Sequence, residues 1–320
     1  MDRILVIRGG AIGDFILTLP ALKALRDAYP DAHIEILGHK HIAALAENRF
    51  YTQAVRSIEY GSLSSFFAKN SEMSAELADY FASFDLIISY LYDPDQIFEN
   101  NLRRCGVENL LCGPAKIVEK GGHAALQLAR PIEELGIQVA DLTEEIFLSI
   151  DDRQYARKFL RNSSGPILAI HPGSGSKVKN WPLEKWMELV SGKSGLSKAN
   201  GKQVSLVVVS GEADRAQTAH LEHDWKDRDV HFAKNLPLPC LAAVLEQTIF
   251  VGHDTGISHL AAAAGANCIL LFGPTNPNIW APRNENVRIV AAPTGRLEDL
   301  EIAPVQAALT AALRGASPHG

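Results

Sequence analysis

The sequence predicts an α/β protein built on doubly wound parallel sheets. Three observations lead there: short runs rich in Val, Ile and Leu recur along the chain, helical stretches separate them, and the runs show little apolar–polar alternation. Strands of that kind are buried on both faces, as in parallel sheets carrying helices on either side. With 320 residues the chain exceeds one compact core and suits two domains.

Taken in order, strands are expected at 3–8 (RILVIR), 33–38, 53–60, 85–92, 166–173, 203–211, 229–235, 249–254, 267–273 and 286–292. The first helix places Phe15, Leu19, Leu22, Leu25 and Tyr29 at steps of three and four, on one face for the sheet. Pro20 should kink or restart it, because proline removes an intrahelical hydrogen bond. Near 150–165 a charged helix, DDRQYARKFLRN, runs into SSGP and a second strand series begins. That places a first domain at 1–155 and a second at 156–320. Two similar sheets facing each other imply a cleft between them. The last helix, 301–315, could cross back onto the first domain.

The hydrophobic share of 47% and charged share of 21% exclude disordered and fibrous classes. Cys105, Cys112, Cys240 and Cys268 form no CxxC pair and no zinc spacing, so free, mostly buried thiols in a reducing, cytoplasmic setting are expected. Charged residues interrupt the apolar N-terminus, and the longest apolar stretch, LAAAAGANCILLFG, is too short to cross a bilayer. Residues 1–150 carry 13 basic against 21 acidic side chains, a net of −8, while the remainder nets +2. The acidic half is a poor surface for nucleic acid, whose binding rests on phosphate contacts. The second half suits a small anion.

Candidate chemistry gathers where strands end. In GHDTGISHLAAAAG (252–265), Asp254 closes a strand, Thr255 and Gly256 open a helix, and His259 follows one turn on. Ligands of open parallel sheets sit at such strand ends, where helix N–H groups carry partial positive charge, an arrangement suited to a diphosphate. The alternative is a helix capped by Asp254 or Thr255, with Gly256 allowing tight packing. HPGSGSKVKNWPLEKW (171–186) offers Gly173, Ser174, Gly175, Ser176, Lys177 and Lys179 after another strand, the ingredients of an anion-binding loop. A surface turn with solvated lysines is the competing reading, and the Walker spacing is missing. Glu212, just after Gly211, could accept hydrogen bonds from ribose hydroxyls, or simply favour a helix start. Gly273, Pro274 and Thr275 end a further strand, where a rigid turn explains them equally well.

In the first half, IRGGAIGDFILTLP follows the first strand. Gly9, Gly10 and Gly13 turn the backbone tightly and Asp14 begins the helix beside the expected cleft. Asp14 is either a helix-start acid or a general base, and its cleft position favours the base. Arg8 stands where the dinucleotide fingerprint needs its first glycine, which weighs against a nicotinamide dehydrogenase. Asp93 and Asp95 in DPD superficially match a metal-binding DxD pair, but a turn around Pro94 is the better reading. His33, His39, His41 and His123 lack ligand spacing.

RGGAIGDFILTLPALKALRDAYP, HPGSGSKVKNWPLEKW and GHDTGISHLAAAAGANCILLFGPTNP together resemble, in order, the hallmark segments of the family 9 glycosyltransferases, whose best-known members are ADP-heptose:lipopolysaccharide heptosyltransferases. The resemblance implies a GT-B fold of two Rossmann-like domains, the first for the acceptor and the second for the nucleotide sugar. It implies Asp14 as base and Lys179, Asp254, Thr255, Gly256 and His259 as site residues, with Glu212 on the donor and adenine against 235–241. It also implies inverting transfer, probably the wrong word for a metal enzyme: no metal and no cofactor are expected. The partners implied are a nucleotide-diphosphate sugar and a glycan or glycolipid acceptor, the latter bringing transient contact with the inner membrane surface. A non-catalytic sugar-nucleotide-binding relative is the alternative. The acceptor half departs from the pattern. A polyanionic acceptor needs Arg8, Arg56, Arg103, Arg104, Lys116 and Lys120 gathered locally, and Tyr90 and Tyr92 stand where relatives often carry an acid or amide.

Overall fold

A computed structural model describes residues 1–163, 165–191, 198–199, 202–211, 215–225 and 230–315. The chain divides into two compact units, Met1–Leu142 and Thr143–Gly320. The first holds a parallel sheet of β1 (Arg3–Arg8), β2 (His33–Gly38), β3 (Ala54–Ser57), β4 (Leu86–Ser89) and β5 (Leu110–Cys112), in the order β3-β2-β1-β4-β5. In the second, β6 (Ile167–His171) precedes a short hairpin, β7 (Lys198–Ala199) and β8 (Lys202–Gln203). Then come β9 (Ser205–Ser210), β10 (Val230–Lys234), β11 (Ile249–His253), β12 (Asn267–Phe272) and β13 (Val287–Ala291), forming a parallel sheet β10-β9-β6-β11-β12-β13. Both sheets reverse winding direction once, between β1 and β4 and between β6 and β11. At such a reversal the flanking loops diverge and leave a crevice at the carboxyl ends of the strands.

The unalternated runs are buried along their length: every residue of β4, β9 and β11 is inaccessible, as two-sided coverage requires. Pro20 restarts the first helix, which forms as Ile12–Ile16 and then Leu19–Ala28, with proline in the first turn where its missing N–H costs nothing. Phe15, Leu19, Leu22 and Leu25 are buried, while Tyr29 is only partly so.

Three expectations are corrected. The units divide after Leu142, so the charged helix, Ile150–Phe159, lies inside the second unit. It packs on helix Leu238–Glu246, and Arg153 bonds Glu246 at 2.8 Å. Ser149 and Asp152 form its capping box, a local signal that marks a helix start and not a domain end. The last helix, Ile302–Gly315, buries Val305, Ala308, Leu309 and Leu313 in the core of its own unit and does not use that face on the first. Of the four free cysteines only Cys268 is buried; Cys112 is exposed, because it ends β5, a three-residue strand too short to leave a pattern. Among the described residues no helix is long and apolar enough to cross a membrane.

Candidate functional site

In the second unit the β6–β11 reversal brings two sequence-distant loops together. The chain leaving β6 passes through Ser174–Ser176 into a single 3-10 turn, Lys177–Lys179, and the chain leaving β11 passes through Asp254 into helix Gly256–Ala263. Lys179 Nζ lies 2.9 Å from Asp254 Oδ2. The lysine side chain is 31% exposed and the aspartate 10%, so the cation faces solvent from a partly desolvated carboxylate. Such an ion pair is stronger than a surface one and still within reach of a ligand.

A buried layer fixes this geometry. His253, wholly inaccessible at the end of β11, accepts the Trp181 N–H through Nε2 at 2.8 Å, locking the end of the lysine loop to the strand beside it. The acceptor role leaves that nitrogen without a proton. Trp181 donates its indole N–H to Leu300 O at 2.8 Å and meets Trp186 edge to face, and Trp186 meets His253 in the same way. Ser258 Oγ donates to the His253 carbonyl. Thr255 is the N-cap of its helix, yet its side chain makes no capping bond; its hydroxyl lies 3.4 Å from Nδ1 of His171, the last residue of β6. The helix-capping alternative therefore fails for Thr255.

The other expected residues take distinct places. Ser174 Oγ contacts Ser176 O at 2.7 Å and the Asn180 side-chain amide at 2.6 Å, and accepts from Ser176 N. One hydroxyl proton cannot serve two acceptors, so the Asn180 amide nitrogen is best assigned to the second contact. Ser174 thus shapes the loop from within. Gly175 is exposed, and a Cβ there would meet nothing within 4 Å, so the fold itself does not demand glycine. Ser176 is half-buried and Gly256 opens the helix. Thr275, after β12, has a buried hydroxyl without a hydrogen-bond partner among the described residues. Glu212 lies outside the described residues.

His259 does not reach this rim as an exposed side chain. It is buried, with Nδ1 2.9 Å from Glu144 Oε1 and 3.0 Å from Oε2. Asn284 holds the Glu144 main chain from both sides, donating to its carbonyl at 2.8 Å and accepting from its N–H at 3.2 Å. This ties the segment entering the second unit to helix Gly256–Ala263. Replacing Glu144 by alanine leaves a buried imidazole nitrogen unsatisfied and is expected to cost roughly 2–3 kcal/mol. Thermal denaturation should show a fall in Tm on the order of 5–10 °C; an unchanged Tm would mean that the pair does not hold the helix.

In the first unit, Asp14 sits in helix Ile12–Ile16 beside the β1–β4 reversal. Its Oδ2 accepts the Ala11 N–H at 2.9 Å, while its side chain stays 41% exposed. Gly10 is required here: its φ is +92°, and a Cβ would come within 2.7 Å of Asp14 Oδ2. Gly13 occupies the same first turn and its carbonyl accepts the Leu17 N–H. Arg8 is buried under the loop. It donates to Asp14 O at 2.9 Å and Thr18 Oγ1 at 3.0 Å, lies 3.8 Å from Asp14 Oδ1, and stacks over the Tyr90 ring. Burial pushes the guanidinium below its ordinary value, and Asp14 and Tyr90 oppose that shift. Asp14 is thus a helix-start acid by its hydrogen bonds and remains accessible to solvent.

Asp93 resolves into a turn residue: its two oxygens accept the Ile97 and Glu99 N–H groups, each at 2.9 Å. Among the described residues no three His, Cys, Asp or Glu side chains are grouped as a metal site. The sequence reading missed the positioning roles of Arg8, His171, Asn180 and His253. The two histidines close their strands inside the quoted motifs, so their position was legible. Glu144 left no signal, being far from His259 in the chain.

Comparison with known proteins places this geometry. Residues 115–306 match the family model described as glycosyltransferase family 9 (heptosyltransferase). Lipopolysaccharide heptosyltransferase 3 of Escherichia coli (strain K12) is 24% identical over 86% of this chain and 83% of its own. A family 9 glycosyl transferase structure from Veillonella parvula superposes with a TM-score of 0.79 at 18% identity, covering 98% of this chain and 97% of the other. An E. coli heptosyltransferase solved with ADP gives 0.67 at 19% identity, over 96% and 98%. The fold is the two-unit, doubly wound GT-B type that the sequence implied.

Proposed function

The chain belongs to glycosyltransferase family 9, and from that premise we propose that it moves heptose from ADP-heptose to a hydroxyl of a lipopolysaccharide-core-like glycan, inverting the anomeric carbon. The observation that carries the donor half is the 2.9 Å pairing of Lys179 with Asp254 at the β6–β11 reversal. There the lysine, the hydroxyl of Thr255 and the free N–H groups of helix Gly256–Ala263 offer cationic and dipolar partners for a diphosphate. Sheet order then lays out the nucleoside. Strand ends are roughly 5 Å apart, so the segment after β9, with Glu212, is near the ribose and the 235–241 segment after β10 meets the adenine.

The chemistry follows from charge. A sugar hydroxyl must lose a proton as it attacks the anomeric carbon, and Asp14, accessible at the end of β1, accepts it. The leaving ADP gathers negative charge, which Lys179 and the helix N–H groups stabilise without a metal. Ser174, Asn180 and His253 keep these groups in place, and His259 acts through helix position. Gly13, Gly175 and Ser176 let backbone and ligand approach. A glycolipid acceptor brings the chain transiently to a membrane surface.

The test is to mix the purified chain with ADP-heptose and core-type glycans. ADP release that depends on the acceptor is the expected result. Binding of ADP-heptose with no release for any acceptor would instead identify a non-catalytic relative.

A further inference from the structure

The first unit holds a cavity of about 270 Å³ at the carboxyl ends of β4 and β5. Its wall includes Tyr92, Asp93, Gln96, Phe98, Glu99 and Cys112. It adjoins the Asp14 loop, because Leu91, also in the wall, lies 3.4 Å from where a Gly9 Cβ would stand. Pockets for drug-sized ligands begin at roughly 300 Å³, so this one suits a single sugar ring.

Its chemistry disfavours phosphate. Helix Ile97–Arg104 points its N-terminus at the cavity, but Asp93 already bonds the Ile97 and Glu99 N–H groups where a phosphate would otherwise sit. Glu99 adds a second carboxylate: Oε1 is held by Arg103 at 3.0 Å, and Oε2 meets the weakly donating Cys112 thiol at 3.9 Å, which leaves acceptor capacity for a hydroxyl. Burial, then Glu99 and Asp93, hold that thiol above its ordinary value, a sign of the same acidic field. Cations that a phosphorylated acceptor would need are engaged elsewhere. Arg8 is buried, Arg56 stacks over Tyr80, Arg103 pairs with Glu99, and Arg104 bonds Asn101. Tyr92 is 65% exposed, and the Lys116 ammonium lies 4.6 Å from its ring centre, which holds an aromatic platform at the rim.

Resting on the transferase reading above, we propose that this pocket is an acceptor subsite for an uncharged sugar ring, stacked on Tyr92 and hydrogen-bonded by Glu99 Oε2 and Gln96. Saturation-transfer NMR titrations of the full chain test it, using the methyl glycoside of heptose and its monophosphate ester as probes. The neutral glycoside should bind the wild type, the phosphate ester roughly tenfold more weakly at low salt. Tyr92→Ala should weaken the neutral glycoside roughly tenfold, and Tyr92→Phe should restore it. No binding of the neutral glycoside, equal or tighter binding of the ester, or indifference to Tyr92→Ala overturns the proposal. ADP titrations of the same samples separate the two readings. Sugar binding that needs Tyr92 without any ADP binding sinks the transferase and keeps a sugar site. ADP binding and transfer with sugar binding indifferent to Tyr92 sink the subsite alone.

Discussion

Asp14→Asn is expected to lower kcat by about 10²- to 10⁴-fold, the usual contribution of a general base, while ADP affinity stays unchanged. Asparagine is the informative replacement. Asp14 Oδ2 accepts the Ala11 N–H, and an amide oxygen can do the same, so the start of helix Ile12–Ile16 survives. Arg8 bonds the Asp14 carbonyl and Thr18, neither of which changes. Alanine would also remove the cap, at about 1 kcal/mol, and would mix a folding effect into the rate. Turnover by Asp14→Asn at the wild-type rate would reduce Asp14 to its capping role. Calorimetric titration with ADP, run beside the kinetics, keeps donor binding and proton transfer apart.

Lys179→Ala is expected to raise the Kd for ADP about 100-fold. A hydrogen bond to a charged group contributes roughly 1.5–3 kcal/mol, and the loss is compounded by what remains. Asp254, whose side chain is 10% exposed, would face the incoming diphosphate with no cation between them. The double variant Lys179→Ala/Asp254→Ala should therefore recover part of the affinity, because the repulsion goes with the carboxylate. Non-additivity of that sign is the signature of two groups sharing one site. Wild-type ADP affinity in the single variant would place the diphosphate elsewhere. Thermal denaturation of both variants controls for loss of fold.

The Lys179–Asp254 pair shows how far the motifs could be read. Each loop was legible from its glycines, hydroxyls and lysines after an apolar run, and both point to the same strand ends. Their convergence was not legible, since it depends on β6 and β11 being neighbours although β9 and β10 lie between them in the chain. Ser174 illustrates the opposite outcome: a hydroxyl in an anion-binding pattern turned inward, because Asn180 and Ser176 offered partners in the loop itself. His259 likewise turned inward, to Glu144.

Periodicity and composition alone determined that this chain makes two-sided parallel sheets, that Pro20 restarts the first helix and that the polar residues gather at strand ends. These are local properties, set by side-chain spacing, backbone dihedrals and the need to cover both faces of an apolar strand. Tertiary structure decided the rest: which unit owns helices Ile150–Phe159 and Ile302–Gly315, that three residues at Leu110–Cys112 complete a sheet, and which polar side chains meet. Such pairings depend on partners distant in sequence, and burial energy selects them only once the sheet order has brought those partners within reach.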